Sequence, residues 1–301
     1  MPGPNTFAGE ALDRAGARRR DDGWLAARIA DPATRVVVGR QDGVLVEGER
    51  PRLQAVDELP DGLDLVLLGV DGEGRAIFAA DPGDDVEGDW RGLRDLAPAL
   101  PQAEGGMIAH AMALLNWHRR HRFCSNCGAR TESREAGHIR RCPACGAEHH
   151  PRTDPVVIML VHDGDRAVLG RQAAWPTGRY SALAGFVEPG ESLEEAVARE
   201  VREESGVRVT DIRYRSSQPW PFPTSLMLGF DARWTDGEPA VRDGELEDVR
   251  WFTRDEIASG GILLPPPEAI ARRLIEEWLG PRPASRRSTR DAGRDRGPSP
   301  S

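Results

Sequence analysis

The chain of 301 residues contains no lysine, so all 40 of its basic residues are arginine, a bias of composition that by itself assigns no function. It also lacks any apolar run near the ~20 residues a membrane-spanning helix needs; Val156–Val161 has the length of one buried strand. Arg18–Arg19–Arg20 is followed by no apolar core, so the N-terminus does not read as a secretory signal, and a cytoplasmic chain with no membrane partner is expected. An excess of basic charge is missing too. A formal net charge of -9 argues against wholesale binding to nucleic acid or anionic membranes. Cysteine is scarce, and its four copies fall within one short segment.

The most informative stretch is GFVEPGESLEEAVAREVREESGV, from Gly185 to Val207. Glu200, Glu203 and Glu204 stand at i, i+3 and i+4, so a helix projects all three carboxylates from one face. Like charges at that spacing repel unless a cation lies between them, and hard oxygen ligands suit magnesium or manganese. Ser192 and Glu195 have capping-box spacing, Gly190 permits a tight preceding turn, and Gly206 sits where a helix ends. Three carboxylates alone would favour a solvated acidic face. The whole stretch decides against that, because it reads G-x5-E-x7-R-E-U-x-E-E-x-G-U, with U apolar, at Gly185, Glu191, Arg199, Glu200, Val201, Glu203, Glu204, Gly206 and Val207.

Residues 1–20 are polar and weakly patterned, a flexible arm by composition. Residues 21–121 combine short apolar runs, separated by Asp42–Gly43 and Asp71–Gly72 turns, with an amphipathic helix carrying Met107, Ile108, Ala111, Leu114 and Leu115. This predicts a compact α+β domain. Residues 122–150 hold the cysteines. Residues 151–280 predict strands at Val156–Val161, Ala167–Gly170, Ser225–Trp234 and Val249–Phe252 and a closing helix from Pro267 to Leu279, an α/β/α sandwich around the carboxylate helix. The Pro, Ser, Arg and Gly of residues 281–301 read as a disordered tail. No internal repeat is evident.

Cys124-x2-Cys127 and Cys142-x2-Cys145 are each followed by glycine, which allows the knuckle turn that aims two thiolates at one ion. Four thiolates close a tetrahedral zinc site with no open position, so one structural zinc per chain is expected. Disulfides fit less well, since nothing suggests secretion. His149 and His150 are redundant as ligands beside four cysteines. Seven arginines crowd residues 119–141, which suits a solvated basic surface and leaves RNA contact open.

Ser217–Ser225 reads SQPWPFPTS. Its three prolines stiffen the backbone. Trp220 and Phe222 can stack on planar bases, and Gln218, Thr224 and Ser225 offer hydrogen bonds.

The box resembles that of the Nudix hydrolases without a departure. Together with the cysteine module and the SQPWPFPxS segment, it is similar to the NADH pyrophosphatase branch of that family over roughly residues 30–280. The resemblance implies a Nudix fold preceded by a Nudix-like α+β domain and a zinc ribbon. It implies a homodimer whose pockets take residues from both copies. It also implies hydrolysis of NADH or NAD+ to nicotinamide mononucleotide and AMP, and removal of NAD caps from RNA. More than one Mg2+ or Mn2+ would then lie on the Ala184 carbonyl, Glu200, Glu203, Glu204 and a later acid, Glu245 or its rival Glu247. The substrate segment maps onto Gln218, Pro219, Trp220, Pro221, Phe222, Pro223, Thr224 and Ser225, with Phe186 facing the nicotinamide and Ala271 offering backbone. Two positions depart from the family: His150 stands where a tyrosine is frequent, and Gly137 where some members carry a substrate-contacting glutamate.

The chemistry expected is attack of water on a diphosphate, with Glu204 or Glu203 accepting the proton and Arg199 holding the loop through Glu191. ADP-ribose or dinucleoside polyphosphate hydrolysis is the nearest alternative. A non-catalytic nucleotide-sensing or RNA-binding protein is the alternative of another class, disfavoured by the intact carboxylates.

Overall fold

The computed structural model describes residues 3–242 and 244–280. The expectation for residues 281–301 lies outside these described residues.

The carboxylate helix belongs to a domain whose centre is strand β8; the labels β1 to β7 are given below to strands nearer the N-terminus. β8 spans Asp154–His162, and its apolar run is continuous because both faces are covered. Val157, Met159 and Val161 enter one core, together with Ala196, Val197 and Val201 of the carboxylate helix. Ile158 and Leu160 enter the opposite core, against Ile270, Leu274 and Ile275 of the closing helix. A six-stranded sheet thus lies between two helical layers. β8 pairs antiparallel with β9 (Arg166–Arg171) and β10 (Leu183–Phe186), and parallel with β12 (Ser225–Asp236). β11 (Arg208–Trp220) pairs along β12 at one end of the sheet, and β13 (Asp248–Thr253) along β9 at the other. The closing helix spans Ile270–Leu279, starting three residues later than its apolar pattern implies.

β11 is the main element the sequence hides. Register shifts at Arg208/Val209, Thr210/Arg213 and Tyr214/Ser216 break its alternation, so no period-2 pattern marks it. As a result SQPWPFPTS is not a free loop. Trp220 pairs with Ser225 and Pro219 with Leu226, which leaves only residues 221–224 as the turn of a long hairpin.

The N-terminal domain repeats the layered plan. Strands β1 (Arg35–Arg40), β2 (Gly43–Glu47), β3 (Val66–Val70) and β4 (Ala76–Ala80) form most of a seven-stranded sheet. Ile108, Ala111, Leu114 and Leu115 of helix Gln102–Arg120 cover one face, and Trp24 and Leu25 of helix Asp22–Ile29 pack on the other. Residues 3–20 depart from the flexible arm expected of them. Phe7 is buried in the N-terminal core and Asp13 pairs backbone to backbone with Val70, because this segment supplies apolar and amide groups that its sparse composition conceals.

Between the domains, β5 (Glu132–Arg134), β6 (Ile139–Arg141) and β7 (Glu148–His149) make the small sheet of the cysteine module. Two histidines fasten it to the N-terminal domain. His118 Nε2 bonds the Gly137 carbonyl at 2.7 Å, and His138 Nε2 bonds the Leu67 carbonyl at 2.7 Å.

Burial pushes the His138 pKa down to about 4 from an ordinary 6.5. The unfolded chain therefore binds a proton that the folded chain refuses, and stability falls as pH drops from 6.5 towards 4. In urea melts across that range, His138→Gln is expected to flatten this decline; an unaltered pH slope would show that other groups cause it.

Candidate active site and zinc ribbon

The carboxylate helix α spans Leu193–Ser205 and starts with the capping box its sequence implies. Ser192 N donates to Glu195 Oε2 at 2.8 Å, and Glu195 N donates to Ser192 Oγ at 3.2 Å. Gly206 ends the helix at φ 74°, a left-handed conformation that favours glycine. One turn before that end the three glutamates leave the helix in different environments. Glu204 is buried at 4% exposure, Glu200 is half-buried, and the Glu203 side chain is more than half exposed.

Arg199 organises the loop ahead of the helix. Its guanidinium donates to both Glu191 oxygens at 2.6 and 2.9 Å, to Glu200 at 2.8 Å, to Glu203 at 3.1 Å and to the Phe186 carbonyl at 2.8 Å. The bond to Arg199 holds Glu191 below the usual carboxylate range. Glu200 moves the other way: burial raises its pKa despite Arg199, and the charges of Glu203 and Glu245 add to the rise. The Glu200 carboxylate rests on Gly185, where an added Cβ would lie 1.9–2.2 Å from its atoms. That close approach explains the glycine that opens the box.

Glu245 is near enough to destabilise the Glu200 anion, whereas Glu247 forms an ion pair with Arg171 and its amide donates to the Arg171 carbonyl at 2.8 Å. Of the two rivals, Glu245 faces the carboxylate cluster. The Glu200 carboxylate, disfavoured as an anion by burial and by the nearby charges of Glu203 and Glu245, belongs to a set of hard oxygen donors suited to a divalent cation.

A cavity of about 250 Å³ opens beside this cluster. Ala184, Glu204, Gln218, Trp220 and Ala271 all line it, so the helix, the hairpin and the closing helix meet there. Gln172 and Trp175 also line it; they sit in the connection 172–178 after β9, which carried no chemical signal in the sequence. Phe186 stands on the surface at 60% exposure. His150 is exposed and does not line the cavity. Gly137 packs on Val66, where a Cβ would come within 2.8 Å of the valine side chain, so this backbone has no room for a longer residue.

The hairpin groups are largely engaged. Gln218 is 1% exposed; its Nε2 donates to the carbonyls of Glu268 at 2.7 Å and Thr6 at 3.1 Å, and its Oε1 accepts from Ile270 N at 2.8 Å. Thr224 Oγ1 donates to Asp154 at 2.8 Å. Pro223 accepts from Asn116, and Ser225 begins β12. Phe222 and Trp220 pack edge to face, 5.1 Å between centroids, with the Arg94 guanidinium 4.3 Å from the Phe222 ring.

In the ribbon, all four Sγ atoms lie within 4.8 Å of one another, with Cys124–Cys145 at 3.7 Å and Cys127–Cys142 at 3.5 Å. A tetrahedron with Zn–S bonds of ~2.3 Å has edges of about 3.8 Å, so the sulfurs stand where a zinc ion needs them. Disulfides, at ~2.05 Å, are absent among them. His149 Nε2 approaches Cys124 Sγ at 3.3 Å, a hydrogen bond to a ligand sulfur rather than a fifth ligand.

Residues 151–279 match the NUDIX domain, residues 119–149 the NADH pyrophosphatase zinc ribbon domain, and residues 33–117 the NADH pyrophosphatase-like rudimentary NUDIX domain. Over 295 residues the chain is 44% identical to the NAD-capped RNA hydrolase NudC of Mycobacterium bovis (strain BCG / Pasteur 1173P2), covering 89% of this chain and 94% of that one. The chain belongs to the NADH pyrophosphatase branch of the Nudix hydrolases. A second member of that branch, an NAD-capped RNA hydrolase of Macaca fascicularis, is 35% identical over 338 residues, covering 91% of this chain and 73% of the relative. A solved NUDIX hydrolase from Nitrosomonas europaea overlaps 52% of this Nudix chain and 90% of its own, at a TM-score of 0.44 and 25% identity.

Two outcomes are expected, one at the carboxylate cluster and one at the cysteine cluster. Gly185→Ala displaces the Glu200 carboxylate and is expected to weaken Mn2+ binding about 10–100-fold in calorimetric titration, with far-UV circular dichroism unchanged. Cys142→Ser is expected to cut the zinc released on denaturation, read with a metallochromic dye, to well below one ion per chain; full zinc content would show that three sulfurs suffice.

Proposed function

We propose that this Nudix hydrolase cleaves the diphosphate bridge of NADH and NAD+, giving nicotinamide mononucleotide and AMP, and removes NAD caps from RNA. The observation that carries the reading is the single cavity shared by Glu204 of the box and Trp220 of the hairpin, which places a carboxylate and an aromatic wall on one ligand. The names of the relatives from Mycobacterium bovis and Macaca fascicularis point to the same substrate.

Size constrains how the substrate sits. Sites for drug-sized ligands run to roughly 300–1,000 Å³, so a cavity of about 250 Å³ takes one nucleoside half. The other half extends past the carboxylates to the surface, where the exposed Phe186 ring is available to the nicotinamide. Homodimer formation, with pockets completed by a second copy, would cover that outer half. Gln218 and Trp220 of the Gln218–Ser225 segment line the inner half together with Ala271, and the rest of that segment supports them from behind.

Ala184, Glu200, Glu203, Glu204 and Glu245 hold more than one Mg2+ or Mn2+ in this reading. When bound, these ions neutralise the diphosphate and acidify a water molecule. Glu204 accepts the proton of the attacking water, with Glu203 as the alternative base. Oxygen joins one phosphorus as the bridging P–O bond breaks, and the displaced phosphate leaves with its mononucleotide. Arg199 keeps Glu200 and Glu203 on the reacting side by pairing them to the loop. The zinc takes no part in this step. A cytoplasmic setting, where both NADH and RNA occur, completes the reading.

One panel tests it: NADH, NAD+, ADP-ribose, a diadenosine polyphosphate and NAD-capped RNA, each with Mg2+ or Mn2+. Wild-type turnover is expected to favour the NAD compounds, and Glu204→Gln is expected to lower kcat by about 10²–10⁴-fold. Preference for ADP-ribose or diadenosine polyphosphate would transfer the chain to the neighbouring activity. Equal inertness of wild type and variant on all five would leave a nucleotide-binding protein instead.

A further inference from the structure

The hairpin that walls the cavity is not held by its own domain alone. Asn5, near the start of the chain, is buried and spends its side chain on two elements, β11 and the closing helix. Its Nδ2 donates to Ser216 Oγ at 3.1 Å and to the Ser217 carbonyl at 2.7 Å, and its Oδ1 accepts from Arg273 of the closing helix at 2.9 Å. Its own carbonyl accepts from Gln102 Nε2 at 2.7 Å, which fixes it to the N-terminal domain as well. Thr6 gives its carbonyl to Gln218. Phe7 is 3% exposed and lies 5.9 Å, centroid to centroid, from both Trp220 and Phe222.

The backbone at Phe7 has φ 69°, a left-handed conformation that is costly for a bulky side chain and persists only where surrounding contacts over-determine it. Those contacts are the hairpin rings and the core beneath them. Residues 5–7 precede all three matched domains, the first of which begins at residue 33. The sequence around them carries no motif.

We propose that Asn5 and Phe7 are positioning residues for the dinucleotide site: the N-terminal segment clamps the Ser216–Ser225 hairpin so that Trp220 and Gln218 stand ready on the cavity wall. This rests on the reading of that cavity as the dinucleotide pocket. The physical consequence is a binding effect. If the clamp is cut, the hairpin samples arrangements that cannot receive substrate, and apparent affinity falls in proportion to the competent fraction that remains. Once substrate is seated, Trp220 and the carboxylates occupy the same places as before, so turnover of bound substrate is preserved. A segment that only stabilised the fold would reduce the amount of active enzyme and leave KM alone.

The experiment combines hydrogen exchange with steady-state kinetics on full-length, zinc-loaded Asn5→Ala, Phe7→Ala and Phe7→Leu, with Leu12→Ala as a control. Leu12 packs on the same N-terminal core but is not among the hairpin contacts. Asn5→Ala and Phe7→Ala are expected to speed exchange of the Ser216–Ser225 amides and to raise KM for NADH about tenfold, with kcat within about twofold of wild type. Phe7→Leu, which keeps apolar bulk, should recover part of the KM, and Leu12→Ala should leave KM and hairpin exchange unchanged. Unchanged KM in both Asn5→Ala and Phe7→Ala overturns the proposal, even if hairpin exchange quickens. So does a fall in kcat at constant KM, accompanied by a lower melting temperature, which marks a structural role. Should wild type prove inert on NADH, the functional reading fails, and the exchange arm then decides the clamp by itself: protection lost in the Asn5 and Phe7 variants upholds it, and protection retained overturns it.

Discussion

One guanidinium sets the conditions for the rest of this site. Arg199 binds Glu191 in the loop, Glu200 and Glu203 on its own helix, and the Phe186 carbonyl at the end of β10, so loop, helix and strand are tied at a single planar group. Its five fixed donors make this possible where an ammonium could not satisfy so many partners at once. The bonds to Glu191, and then those to Glu200 and Glu203, raise the arginine pKa above its ordinary value, although burial works against the rise. The arrangement also has a cost that is useful. Burial, with the nearby charges of Glu203 and Glu245 adding to it, leaves Glu200 poorly stabilised as an anion, a state that a divalent cation relieves.

The reaction-bearing parts of the molecule were legible because each rests on local rules. The capping box, the i, i+3, i+4 glutamates and the C-terminal glycine all act within one helix, and the CxxC pairs within one module. The apolar run of β8 was equally plain, since a strand buried on both faces shows it directly. β11 escaped notice for the opposite reason. Its bulges shift register three times, and its arginines and polar residues hide an element whose place is fixed by pairing with β12. Asn5 and Phe7 were illegible in principle: their partners are more than 200 positions away, and single polar or aromatic residues in an unpatterned stretch announce nothing. Glu245 and Glu247 illustrate an intermediate case, in which spacing nominates two acids and the Arg171 ion pair of Glu247 distinguishes their surroundings.

The N-terminal domain and ribbon share in the site by contact rather than by chemistry. His118 and His138 join the ribbon to the N-terminal sheet, and Trp220 and Phe222 pack against the N-terminal core. The rudimentary domain thereby packs against the hairpin that lines the cavity of its neighbour.

The parallel pairing of β8 with β12 fixes one further relation. Asp154 lies opposite Ser225, and its side chain meets both Thr224 and Arg152. The few residues between Cys145 and Asp154 therefore form a spacer of set length rather than a linker. Adding or removing a single residue there would either drag the metal knuckles towards the sheet or slip β8 against β12, and a one-residue slip exchanges the faces of every side chain on a strand. The chain can be divided into three domains on paper, yet the ribbon and hydrolase are geared together at that junction, and a recombinant boundary drawn through it would separate the hairpin from the support at its tip.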